Sequence, residues 1–205
     1  MVKELELIKE EAIKIQNSLS TEEKKLFEFD KCVLCDGPID ANVMVVARDL
    51  GKDEIKEGVP LIGAAGSLYR LVEDSLNAEA FLCNIVPFKP MYNKAFPKNI
   101  REQFYPIVDK LIKVVKPKAI LAMGNESLCL FLGLESGILN FALDRQPLYG
   151  GRYHDIAIFP IAHPSYLIHN GVNSFTLKRN KEKRNMFKEL FYFNIYRAFK
   201  FAGDI

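Results

Sequence analysis

The sequence predicts a three-layer α/β/α fold around a central, mostly parallel, four-stranded sheet. Three observations carry this expectation. Four short apolar runs, each rich in β-branched or aromatic residues, follow residue 30, and continuous runs of that length suit strands buried on both faces. Stretches with helical spacing of apolar residues separate the runs, and strands alternating with helices imply βαβ units and a parallel sheet. Of the 205 residues, 49% are apolar, which excludes global disorder and allows a sizeable core.

The elements follow in chain order. Residues 3–17 form an amphipathic helix, with Leu5, Ile8, Ala12 and Ile15 on one face. Thr21 opens Thr-Glu-Glu-Lys and is expected to cap a short second helix. The four strand runs are Val43 to Ala47, Ala80 to Val86, Ala119 to Met123 and Ile156 to Ala162. Helices are expected over Ser67 to Leu76, Ile100 to Val115, Asn125 to Leu132 and Leu177 to Phe201. No repeat, low-complexity stretch or linker divides the chain, so residues 1–205 read as one domain with a helical N-terminal segment over 1–30.

Charge and targeting signals narrow the functional classes only a little. Lys and Arg number 28 against 26 Asp and Glu, so the bulk balance says nothing about nucleic acid, and placement must carry any such argument. The N-terminus is charged from Lys3 onward and has no apolar leader, and no apolar run reaches the ~18 residues of a membrane span. A cytoplasmic, membrane-free protein is expected. Its four cysteines, Cys32, Cys35, Cys83 and Cys129, are then not a disulfide framework. A monomer is expected.

In open α/β sheets, ligands bind beyond the carboxyl ends of the strands. The residues there are Arg48-Asp49-Leu50-Gly51, Asn84 to Pro90, Gly124-Asn125-Glu126-Ser127 and His163-Pro164-Ser165-Tyr166-Leu167. An acid, an amide, a helix N-terminus and a histidine thus meet on one edge, which marks a site before any family is named.

The motifs at these places resemble a known family. Gly58-Val59-Pro60-Leu61-Ile62-Gly63-Ala64-Ala65-Gly66 is similar to the Gly-x-Pro-Phe-x-Gly-x-Ala-Gly of family-four uracil-DNA glycosylases. Cys83-Asn84-Ile85-Val86 resembles their Thr-Asn-Val-Val, Lys116 to Gly124 their Arg-Pro-x-x-Ile-x-x-Leu-Gly, and His163 to Leu167 their His-Pro-Ala-Tyr-Leu. Order and spacing hold from about residue 42 to 190.

This resemblance implies hydrolysis of the N-glycosidic bond of uracil in DNA, with the base flipped out of the stack. Asp49 stands at the third place of the first motif, as in family one, and implies a carboxylate that stabilises sugar cation and water; the alternative is an Asp capping a turn. Asn84 implies an amide matched to uracil O4 and N3–H, or an Asn satisfying strand-end backbone. His163 implies an imidazole N–H facing the leaving base's O2. Leu61 replaces the stacking Phe, Phe88 is a possible aromatic substitute, and Gly51 stands where family one has a Tyr against thymine's methyl, so 5-substituted uracils enter the expectation. DNA phosphates and neighbouring bases are expected at Gly63, Ser67, Asn125, Ser127 and Ser165, at Leu167 as an apolar wedge or a core residue, and at Lys178 and Arg179, in a basic run that is otherwise a solvated face. The rival function is a catalytically weak or inactive DNA-binding subunit of a replication or repair complex.

Family four also carries an iron–sulfur cluster on four cysteines. Cys32 and Cys35 match the first pair, but Phe88 and Phe104 or Gln103 stand where the other two belong, so no cluster, metal or other cofactor is expected. Cys32 and Cys35 then read as small buried hydrophobes, or as half of a zinc site.

Overall fold

The structure is a computed structural model that describes residues 2–134, 147–151, 153, 155–165 and 181–205. The four expected runs become β2 (Val43–Ala47), β3 (Phe81–Asn84), β4 (Ala119–Met123) and β5 (Ala157–Ile161), all parallel. A fifth strand, β1 (Cys35–Asp36), adds an antiparallel edge to β3, with Cys35 opposite Cys83. The sheet therefore has five strands in the order β1-β3-β2-β4-β5, not four. Two residues give no periodicity to read, which is why β1 escapes the sequence pattern.

The central strands are buried throughout, and the pleat sorts their side chains onto two faces. Met44, Val46, Ile120, Ala122 and Ile158 point to one face, in the core shared with α1 (Val2–Ser18), α5 (Lys98–Val115) and α6 (Asn125–Leu132). Val43, Val45, Leu121, Phe159 and Ile161 point to the other, against α4 (Gly63–Leu76) and α7 (Lys181–Ala202). Helices on both faces make the three layers. No helix among the described residues is long and apolar enough to cross a membrane.

Helix starts differ from expectation by small, explicable amounts. Ser20, not Thr21, caps α2 (Thr21–Lys24): the Glu23 amide donates to its hydroxyl at 3.3 Å, and the Ser20 amide donates to the Glu23 carboxylate at 2.9 Å. The helix α4 begins at Gly63 rather than Ser67, because positive φ at Leu61 (53°) and Gly63 (68°) turns the chain early. A short helix, α3 (Lys52–Glu57), fills the stretch after β2; only Ile55 of its six residues is buried, so it carries no apolar stripe.

Candidate active site

Strand order places the site. The β2–β3 crossover carries α4 over one face, and the β3–β4 crossover carries α5 over the other. From β2 the chain runs out to β3 and returns past β2 to β4, so the switch point lies between β2 and β4, and such a point leaves a crevice beyond the strand ends. A cavity of about 440 Å³ occupies it. Its walls come from the turn after β2 (Arg48 to Glu54), the turn after β4 (Met123, Gly124, Glu126) and the turn after β5 (His163, Ser165), with Ile62–Ala65 and Asn93 completing the rim.

Asp49 lies deep in this wall, its side chain 8% exposed. The Arg48 guanidinium grips it side-on, Nε donating to Oδ2 at 2.6 Å and Nη2 to Oδ1 at 3.3 Å. Burial pushes the Asp49 carboxyl above its ordinary range, while Arg48 pulls in the opposite direction. Arg48 also lies 3.9 Å from the Glu126 carboxylate, so one cation serves two acids. Arg48 is thus the direct partner of the neighbouring acid.

His163 faces the same cavity. The backbone amide of Ser165, which can only donate, reaches its Nδ1 at 3.2 Å, and the Ser165 hydroxyl lies 2.7 Å from the same nitrogen. Nδ1 is therefore an acceptor, and the neutral ring carries its proton on Nε2. Burial, aided by the Arg48 charge, lowers the imidazole pKa to about 4. At neutral pH this ring is an uncharged Nε2–H donor.

Other expected residues are placed less uniformly. Gly51 lines the cavity at the start of α3, where a Cβ would collide with the Glu54 carboxylate. Gly63 lines it too, and a Cβ there would come within 2.6 Å of Asp53 Oδ2. Ser67 is exposed, its hydroxyl donating to the Gly63 carbonyl at 2.8 Å. Asn125 opens α6 and lines an adjoining hollow with Lys98, Arg101 and Glu126. Asn84 ends β3 beside Ala47, is 2% exposed and lies outside the cavity lining.

Three expectations meet a different environment. Phe88 is fully buried, its ring 5.8 Å from that of Phe104 and 5.7 Å from that of Phe27, so it packs in the core and does not cover a base. Leu61 packs against α4 and the sheet at 5% exposure, because its left-handed backbone turns the side chain inward. Ser127 is fully buried, and its hydroxyl lies 2.7 Å from the Val46 carbonyl and 3.2 Å from that of Met123, which leaves nothing for a phosphate. Leu167, Lys178 and Arg179 lie outside the described residues.

Several site residues were missed. Glu54 lines the cavity, its carboxyl raised by burial against the opposing pull of nearby backbone groups. Glu126 and Asn93 also line the cavity. Lys89, 2% exposed, gives Asp49 a second favourable charge. A lone lysine inside Val86-Pro87-Phe88-Lys89-Pro90 was the available signal, since lysine is almost never fully buried without a partner.

The residues present do not fit the iron–sulfur cluster that the family-four resemblance implies. A cluster needs four thiolates. Cys32 and Cys35 supply two, and burial pushes both thiols up to about 12. The expected remaining positions carry Phe88 and Phe104 or Gln103, and the rings of Phe88 and Phe104 pack with those of Phe27 and Phe96 in the same core cluster as Cys32. Carbon rings hold that volume where ligands would have to reach.

The family model described as "Uracil DNA glycosylase superfamily" matches residues 35–191. The chain is 30% identical over 174 residues to a type-4 uracil-DNA glycosylase of Sulfurisphaera tokodaii, covering 81% of this chain and 76% of that protein. It is 28% identical over 145 residues to a type-4 uracil-DNA glycosylase of Thermotoga maritima, covering 69% and 73%. A third such protein, of Saccharolobus solfataricus, is 27% identical over 174 residues, covering 81% and 78%. The matched region spans all five strands and every turn that lines the cavity, and on that extent the chain belongs to the uracil DNA glycosylase superfamily.

Proposed function

We propose that the protein removes uracil from DNA by hydrolysing the N-glycosidic bond of a base flipped into the Asp49–His163 cavity. One observation carries the reading: a buried carboxylate and a neutral imidazole donor share one cavity at the strand ends. The names borne by the type-4 relatives support the reaction class.

The chemistry assigns each group a task. Cleaving C1′–N1 moves the bonding pair onto the base, so the sugar becomes cationic and uracil leaves as an anion with charge on O2. Asp49 offsets the sugar charge and positions the water, whose oxygen bonds to C1′ and whose proton passes through solvent to the departed uracil anion. The Nε2–H of His163 stabilises O2. Asn84, which ends β3 outside the cavity lining, is assigned the base edge: once the base is seated, its amide would offer a donor to O4 and an acceptor to N3–H. The substrate range is proposed to extend to 5-substituted uracils, with Gly51 in the cavity wall and the Glu54 carboxylate beside it as the groups that would meet a C5 substituent.

The partner is DNA, met by the backbone amides where α4 and α6 begin, at Gly63 and Asn125, by Ser67 and Ser165, and by Lys178 and Arg179, with Leu167 filling the vacated stack. The whole chain acts as one domain and as a monomer. Extrusion costs a few kcal/mol and is cheapest in single strands, which are therefore the preferred substrate.

A second reading has one observation in its favour. Arg48 holds both oxygens of Asp49, which neutralises the anion the reaction needs and suits a DNA-binding subunit with weak or no activity. Single-stranded oligonucleotides carrying uracil, 5-hydroxymethyluracil or thymine, read by cleavage at abasic sites, decide between the two. Uracil release supports the enzyme. Binding without release leaves the binding subunit.

A further inference from the structure

The turn after β3 is held in a costly shape at the cavity rim. Met91–Asn93 forms a tight turn in which Tyr92 (φ 54°, ψ 25°) and Asn93 (φ 57°) both adopt left-handed backbone. Asparagine tolerates that region; tyrosine does not, at roughly 1–2 kcal/mol. The ring recovers little by packing, because Tyr92 is 81% exposed, the most exposed of the large apolar side chains among the described residues.

The turn is fixed from beneath. Lys89 is 2% exposed, and its ammonium donates to the Glu28 carboxylate at 2.5 Å, the Asn93 side-chain oxygen at 2.9 Å and the Pro90 carbonyl at 3.2 Å. All three of its protons are used. The Met91 amide adds a bond to the Leu26 carbonyl at 2.7 Å. A buried cation and a strained backbone thus combine to present one aromatic ring to solvent. Asn93, the next residue, lines the cavity with Asp49 and His163. Lys94 follows, exposed, and Lys98 lines the adjoining hollow with Glu126. An exposed ring followed by lysines beside a base-sized cavity matches what single-stranded nucleic acid requires: a stacking face and phosphate partners.

We propose that Tyr92 stacks on the nucleobase that flanks the extruded one in single-stranded DNA, with Lys94 on the phosphate of the same flank. The inference rests on the proposed action on DNA and adds a contact outside the cavity. Rigid presentation is what the strain achieves, since a ring already in place loses little freedom on binding.

The test uses the full chain and a fluorescent single-stranded oligonucleotide with a non-hydrolysable 2′-fluorodeoxyuridine and 2-aminopurine on one side of it or the other. Tyr92→Asn removes the ring and suits left-handed backbone, so it is expected to melt no lower than wild type. It is expected to weaken binding about 5- to 150-fold, the fold-change of ~1–3 kcal/mol per stacked base. Tyr92→Phe keeps the ring and is expected to bind within ~3-fold of wild type. With 2-aminopurine on the contacted side, wild type and Tyr92→Phe quench its emission and Tyr92→Asn does not. Tyr92→Asn binding within twofold of wild type, or equal quenching by wild type and Tyr92→Asn on both sides, would overturn the proposal. Wild type that binds and quenches as expected but releases no uracil refutes the catalytic reading alone and leaves Tyr92 standing.

Discussion

Lowering the pH probes the His163 ring in two independent ways. Its pKa in the folded chain is about 4, against about 6.5 for an unperturbed histidine. As pH falls, the unfolded chain takes up this proton first, so the folded state loses stability from about pH 6.5 down to about pH 4. Below both values the loss stops growing. At pH 7 the effect is ~0.2 kcal/mol, and at pH 5 it is ~2 kcal/mol, from one proton at 1.36 kcal/mol per pKa unit. His163→Gln lacks it. Urea unfolding of both proteins at pH 7 and pH 5 should therefore show the wild type losing ~2 kcal/mol more than the variant. Taking the difference cancels the opposite pH response of Asp49, Glu54 and Glu73, whose carboxyls burial raises. Heteronuclear NMR gives the second reading: a His163 titration midpoint near 4, with the pyrrole-type nitrogen assigned to Nε2 at pH 7. A midpoint at 6 or above would refute the burial that lowers the pKa, and a proton on Nδ1 would refute the assigned donor, because the leaving base would then face an acceptor.

Three further outcomes follow. Asp49→Asn keeps the side chain's shape and removes its charge, so uracil release is expected to fall ~10²–10³-fold in a single-turnover assay while DNA affinity holds or rises. Phe88→Ala empties the middle of the aromatic cluster and is expected to lower unfolding free energy by ~3–5 kcal/mol in urea titrations, with the cavity residues still in place by NMR. Gly66→Ala drives a Cβ into the Leu61 carbonyl, backbone against backbone, and is expected to lose about 3 kcal/mol or the fold itself, as read by circular dichroism.

The parts of the fold that were legible are those where burial is continuous. Val43–Ala47 and Ala119–Met123 run apolar from end to end because both faces are covered, and their bounds are read from the sequence without error. The helix α3 was illegible because Lys-Asp-Glu-Ile-Lys-Glu contributes one buried side chain, and β1 because it is two residues long. The site divides the same way. Topology brings Asp49 and His163 to one cavity, as the strand-end rule requires. Which way a strand-end side chain faces is not written locally: Phe88 and Ser127 stand at the right places in the chain and turn into the core. The Arg48–Asp49 grip was also invisible, since adjacent opposite charges more often diverge into solvent than close on each other.

The aromatic corner carries a consequence for the life of the protein in air. The four phenylalanine side chains that pack there carry no thiol and no metal-binding atom. The two nearby thiols are protonated far above neutral pH, which slows their own oxidation, because the thiolate is the reactive form. This corner fastens residues 26–33 to the 87–91 turn, and so to the floor of the site, through the Phe27–Pro90 bridge and the Val33 amide's bond to Pro87. Ring packing, one backbone bridge and one amide bond together set its integrity, so truncating a ring there weakens the anchoring of the cavity floor as well as the corner.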